Sequence, residues 1–381
     1  MTRWGVVAVA ALVLVTSARA QPALTVDAAI SQLGDFDYDV RTAASGFIRR
    51  LSTEEARPVL ARAVATHEDG YVRYRALVLL VGFGGIEARD AVLGVMEDGN
   101  DRLRAVAYGY FAHEPDPAMV PRLLEALDGE TSEFVRPALI RALASHDDDP
   151  SVRQRLLADI DRGVDFFRGA VIEALGDRRA TYALEPLMAV ASAPGPLQDD
   201  ALLALTRIGD ARALSAVAAL QGADPELEPM VSAAAAAFDE DRAGHFAFVS
   251  ETLAFAAVSG DQRDLVRAAA AGLGALAASG DDAALSTLID VAVEAPSAER
   301  EAIALVVGML AMRAPEEMLA HLETRADLAD AALVVRDGFD MLDEDLEEER
   351  FFMTARSTFW GAPDGSAARR VSDELIRVLE F

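Results

Sequence analysis

Apolar residues recur along this chain at steps of three and four. Leu184, Leu187 and Val190 mark one such stripe, the pattern of a helix with a single buried face. The segment FFRGAVIEALG before it has the same period and closes on Gly176, a residue suited to ending a helix. A short polar turn separates the two. Neither helix can hide its stripe alone, so the pattern predicts helices that stack on one another.

The same helix then returns. YDVRTAASGFIRRL, with Val40-Arg41, is echoed at Val72-Arg73, Leu103-Arg104, Val135-Arg136 and Phe167-Arg168, so the anchors recur every 31 or 32 residues. The series continues more loosely through Leu197, Met230 and Val266-Arg267, then through SAEREAIALVVGML and LADAALVVRDGFDML. Ten copies are expected. Self-similarity at this period is the mark of a repeat array in which each unit buries its faces against two neighbours. The organisation read from it is a leader over residues 1–20, regular repeats over 21–225, drifted repeats over 226–342 and a distinct C-terminal segment over 343–381.

The units resemble the HEAT-repeat superfamily, in the short form found in phycobilisome-lyase-type repeats: acid-x-x-Val-Arg-x-x-Ala followed by a Leu-Gly or Ile-Gly helix end. Asp101 before Leu103-Arg104, Glu133 before Val135-Arg136 and Asp165 before Phe167-Arg168 carry the likeness, with Ala107, Ala138 and Ala170 at the close-packing position. The resemblance implies an all-α fold, a right-handed α-solenoid of about ten stacked antiparallel helix pairs. It also implies that the Val-Arg helices line the concave face.

Composition changes the picture in two places. Hydrophobic residues make up 52% of the 381, enough for a long array, and an apolar run from Trp4 to Val15 behind Arg3, ending at Ala18-Arg19-Ala20, reads as a cleavable export signal. The expected location is therefore secreted or periplasmic, with the cut after Ala20. That run is too short for a membrane-spanning helix, which needs about 20 apolar residues. There is no Cys, hence no disulfide framework or thiolate chemistry. The formal net charge of −28 is carried against arginine alone, since the chain has no Lys. Nucleic acid is an unfavourable partner for such a surface, whereas cationic partners are attracted.

Two rows of residues follow from the repeat. Positions two and five past each anchor are expected to face outward on the concave side, which nominates Tyr74, Leu77, Tyr108 and Ile140 for a partner contact, the tyrosines foremost because a hydroxyl seeks water or a partner. The arginines at 41, 73, 104, 136 and 168 form a second row. An anion site is one reading of Arg41, Arg73, Arg104, Arg136 and Arg168; the favoured one is a structural ladder, each guanidinium set against nearby acids.

Metal and catalytic patterns add little. Asp35, Asp37 and Asp39 imitate the start of a calcium loop, but Val40 stands where the turn needs Gly and Gly46 where a bidentate Glu belongs, so these aspartates are expected to cap a helix. His113 with Asp116 and His146 with Asp148 fall on equivalent turns of adjacent units, a weak candidate for a divalent cation. Helix packing at about 10 Å sets them too far apart to share one ion, and no metal or cofactor is expected. No nucleophile elbow, zinc-binding helix or phosphate loop is present. The acidic run DEDLEEER and the aromatic segment after it read as a capping element for the end of the array, with a docking tail anchored on Phe359 and Trp360 as the other possibility. The expected function is a non-catalytic scaffold that binds a protein or peptide; the alternative is a lyase or chaperone-like activity, which the resemblance brings with it.

Overall fold

The computed structural model describes residues 24–238, 241–342 and 344–379; the expected export signal lies outside them. The described residues form 22 α-helices and three short 3-10 turns, with no strand among them. In chain order the pairs are α1 (Val26–Gln32) with α2 (Tyr38–Arg49), α3 (Thr53–Thr66) with α4 (Gly70–Phe83), α5 (Gly85–Val95) with α6 (Asp101–His113), α7 (Val120–Gly129) with α8 (Arg136–Ala144), and α9 (Pro150–Asp159) with α10 (Asp165–Asp177). They continue as α11 (Leu184–Ala191) with α12 (Gln198–Ile208), α13 (Leu214–Ala218) with α14 (Glu228–Phe238), α15 (Arg242–Ser259) with α16 (Arg263–Ala278), α17 (Asp282–Glu294) with α18 (Ser297–Arg313), and α19 (Pro315–Glu323) with α20 (Leu328–Phe339). A hairpin of α21 (Asp345–Gly361) and α22 (Ala367–Val378) follows. Each even-numbered helix from α4 to α20 packs on the next even-numbered one, so these form a continuous inner row and the odd-numbered helices an outer one. No described helix is long and apolar enough to cross a membrane.

Local chemistry starts the helices where the sequence suggests. Ser52 and Glu55 close a capping box on α3, and Asp69 and Asn100 cap α4 and α6. Asp37 N–H donates to Asp35 and Asp39 N–H to Asp37, both at 2.9 Å, so the calcium-like aspartates cap α2. Gly176 does not end its helix. α10 runs on to Asp177 and terminates through Arg179, held at φ 51°, while Gly176 is where α10 meets α12: an added Cβ would lie 2.8 Å from Ala204 Cα.

The apolar stripes form two cores. One gathers buried residues from Ala29 to Leu205 and on to Ala235, the other from Ala233 to Leu375. α14 belongs to both, giving Met230 and Val231 to the first and Ala233 and Ala236 to the second. Phe111, Phe167 and Phe351 are completely enclosed, each stabilising the fold by about 1.5–3 kcal/mol through area removed from water. α22 covers α19 and α20 with Val371 and Leu375, closing the array's last apolar face. Trp360 stays 69% exposed, and Arg369 stacks over the Phe359 ring at 4.6 Å.

Candidate binding groove on the inner face

The five ladder arginines are engaged internally. Arg41 donates to the carbonyls of Asp35 and Phe36, Arg73 to Val64 at 2.8 Å, Arg104 to Asp98 at 2.8 Å and Arg168 to Ile160 at 2.8 Å. Their targets are carbonyls in the turn or last helical turn just before, groups a helix end leaves without partners. The same side chains reach forward: Arg73 to the Asp98 carboxylate at 2.6 Å and Arg104 to both oxygens of Glu130. Consecutive units are thereby laced together. Arg136 instead lies 3.8 Å over the ring of Phe167 and pairs with Glu133.

The expected apolar stripe is not outward-facing. Leu77 and Ile140 are fully buried, and Tyr74 and Tyr108 are only 6% and 3% exposed. The two hydroxyls find partners inside the protein: Tyr108 donates to the Met96 carbonyl, Tyr74 to Asp345 of α21. The reason differs along the row: α4 is covered on its concave side by α21, whereas Tyr108 turns toward the end of the outer helix α5 and Ile140 into the first core.

α21 lays its acidic start across the inner faces of the first four units. Glu344 faces Arg141 of α8 at 3.7 Å, Asp345 pairs with Arg75 of α4, Glu347 lies 2.7 Å from His113 of α6, and Glu349 takes two hydrogen bonds from Arg49 of α2. The Arg49–Glu349 pair is almost fully enclosed, its side chains 7% and 1% exposed. Leu346 and Glu349 lie directly over Gly109 and Gly82, where an added Cβ would come within 2.8 Å of each side chain. The groove is thus shaped and charged to receive this helix.

Beyond the end of α21 the two cores meet over charge. Arg313 of α18 binds Glu173 and Asp177 of α10, and Arg207 of α12 lies 3.1 Å from Asp177. On one side of this cluster is a cavity of about 450 Å³ under Met312 and Met318; on the other is one of about 590 Å³ reaching Phe134 and Phe166. Burial raises the carboxyls of Asp177, Asp200 and Glu344 above the usual range. Burial acts on Glu347 in the same direction, but its hydrogen bond with His113 and the nearby Arg350 outweigh that and draw it down to about 2. Glu348, with no such hydrogen bond, is pushed up to about 7 by burial and the Asp345 charge.

The paired histidine turns do not make one site. His113 points to Glu347 and Arg350 in the groove, Asp116 pairs with Arg89 and caps the following turn, His146 is buried with Nε2 unbonded, and Asp148 is exposed outside. No group of three or more metal-ligating side chains exists among the described residues. What the sequence reading missed is a different row. Tyr71, Phe134 and Phe166 stand one residue before the buried anchors Val72, Val135 and Phe167 and project from the N-terminal edge of the inner helices, 38%, 50% and 65% exposed. The signal was in the sequence as an aromatic directly before the anchor in three of the five regular copies, following an acid at Glu133-Phe134 and Asp165-Phe166.

Ten stacked helix pairs, the early ones laced by arginine, define an α-solenoid of repeats. Residues 26–112 match the family model described as HEAT repeats. No curated protein matches it. Among solved structures, a chain from the complex of CpcE and CpcF of phycocyanin lyase from Nostoc sp. PCC7120 is 22% identical with a TM-score of 0.35, covering 57% of this chain and 90% of that one. A chain of the Kap95:Nup1 complex is 10% identical with a TM-score of 0.40, covering 93% and 56%. A chain of a homology model of the full-length AP-3 complex in an intermediate open conformation is 12% identical with a TM-score of 0.38, covering 93% and 75%.

Proposed function

We propose that this chain is a non-catalytic scaffold that binds a protein partner along the N-terminal edge of its inner helices. The observation that carries the reading is the recurrence of Tyr71, Phe134 and Phe166 at one repeat position, with Tyr38, 67% exposed, one position earlier in the first unit. A lone exposed aromatic needs no explanation, but Phe134 and Phe166 at equivalent positions of adjacent units, with Tyr71 beyond Arg102 of the third, form an apolar edge of the kind that marks interaction sites. Because α21 covers the inner faces of the first units, a partner meets the edge and the cavity of about 590 Å³ that opens beside Phe134 and Phe166.

The test is affinity capture from an envelope extract with the protein and two variants. Replacing Tyr71, Phe134 and Phe166 by Ala should abolish retention of the partner, whereas replacing Phe248 and Phe255, exposed on the outer helix α15, should not. Equal retention by all three proteins would overturn the reading. We further propose that the scaffold works outside the cytoplasm, on the strength of the pattern over residues 1–20; a reporter fused behind those residues should be exported, and its retention in the cytoplasm would count against this.

A further inference from the structure

The edge row also carries charge. Tyr38, Phe134 and Phe166 each follow an acid directly, as Asp37, Glu133 and Asp165. Asp37 spends its carboxylate on capping α2, but Glu133 and Asp165 pair only with the arginine one turn along their own helix, at 3.3 and 2.9 Å, a contact that water screens. Phe134, Phe166 and Asp165 line the cavity of about 590 Å³, and so does Asp200 from α12. Asp200 has no ion pair or hydrogen bond among the described residues, and its carboxyl is held high by burial and by the charges of Glu173 and Asp199. Gly169 makes its room: a Cβ there would lie 3.0 Å from Asp200 Oδ2. Arg141 and Arg207 line the same cavity but are set against Glu344 and Asp177, at 3.7 and 3.1 Å; aromatic faces beside the remaining carboxylates attract cations, and the chain's net charge of −28 draws them from a distance.

We infer that this edge recognises an extended, positively charged segment of the partner, whose arginine or lysine side chains stack on Phe134 and Phe166 and reach Asp200. This rests on the scaffold reading and names the partner's chemistry. Neighbouring helices are spaced about 10 Å apart, close to three residues of extended chain at about 3.3 Å each, so every third side chain of the segment meets an aromatic. Arg102 holds the corresponding position in the third unit and repels a cation there, which centres the contact on units four to six.

The experiment is fluorescence anisotropy with three labelled peptides carrying Arg, Glu or Leu at every third position between Gly and Ser spacers. The Arg peptide should bind at 0.15 M salt and the other two should not. The variant Phe134→Ala/Phe166→Ala should weaken it about tenfold, as loss of stacked cations implies, and Asp200→Asn should weaken it several-fold, both with unchanged melting temperature. Free arginine at millimolar concentration should compete only weakly if a segment and not a single cation is the ligand; full displacement at that concentration would assign the site to a free organic cation and overturn the segment. Undiminished binding in the Phe variant would mean diffuse attraction to an acidic surface, which also overturns it. Binding of the Leu peptide alone, or of none while capture still depends on the aromatics, would overturn the charge chemistry and leave the scaffold standing. Capture independent of the aromatics would fell both.

Discussion

The first six units and the last four fix the distance between helices in different ways. Early in the array Arg73 and Arg104 tie each unit to the carbonyls behind it and the carboxylates ahead. Late in the array the pattern persists in Arg300, which donates to the carbonyls of Ala292, Val293 and Ala295, but Arg267 reaches only Asp264 on its own helix, with both side chains about 70% exposed, and close approach there relies on missing side chains. Gly308 and Gly338 of α18 and α20 lie back to back, so that a Cβ at Gly308 would fall 2.9 Å from Gly338 Cα, and Gly272 abuts Ala233. A hydrogen-bonded ladder demands a fixed residue at a fixed place and keeps a strict period. Contact through glycine and alanine accepts many sequences, which is why the later copies drift.

The largest test concerns the joint between the two regions. Arg49→Ala or Glu349→Ala strands a buried charge and should cost about 3–5 kcal/mol in urea unfolding, whereas replacing both by apolar residues of similar size should restore most of it. A loss under about 1 kcal/mol from the single variants would mean that the two regions are not held together through this pair.

Gly338→Ala comes next. In an exposed helix this change gains about 0.5–1 kcal/mol, the expectation for Gly94, which has nothing within 4 Å of an added Cβ. At Gly338 the Cβ would run into the Ala304 carbonyl and the Gly308 backbone, and a loss of about 1–3 kcal/mol is expected. Thermal melts that move the same way for both glycines would remove the contrast between the regions.

A smaller effect separates the ladder from its drifted copy. Arg104→Ala leaves Glu130 with only its backbone donor at Ser132 and removes the guanidinium from the Asp98 carbonyl, and should cost about 1–3 kcal/mol, whereas Arg267→Ala should stay within about 0.5 kcal/mol. Equal melting temperatures for the two variants would show that the ladder does not stabilise the early units.

The smallest is a pH dependence. Glu348 holds its proton up to about pH 7 in the folded protein, well above its unfolded value, so its contribution is fully present below the unfolded pKa and is lost as pH rises through about 7. Glu348→Gln should therefore lose less stability between pH 5 and pH 8 than the parent protein. A parallel decline in both would place the titration elsewhere.

All ten inner helices were legible, six through an anchor followed by Arg and the other four through repeat spacing and the apolar pattern. The candidate site was legible only in part. Counting two and five residues past the anchor finds the side of a helix opposite that anchor, which in a two-layer array would be free. Here α4 is buried around its whole circumference, from Val72 through Tyr74 and Leu77 to Leu80, since α21 takes the remaining side. Nothing local to DEDLEEER reveals that its partners are Arg49, Arg75, His113 and Arg141, as the pairing spans up to 300 residues. The exposed row at Tyr71, Phe134 and Phe166 was missed for the opposite reason: aromatic residues beside a buried anchor look like more core.

The seat of α21 has a consequence for how the molecule is made. Arg49 leaves the ribosome 300 residues before Glu349, and Arg75 and Arg141 wait almost as long for Asp345 and Glu344. Until then the early units fold around a strip of unanswered positive charge. A chain interrupted in between keeps that strip, so arrival of the late helix marks the difference between a finished molecule and a fragment.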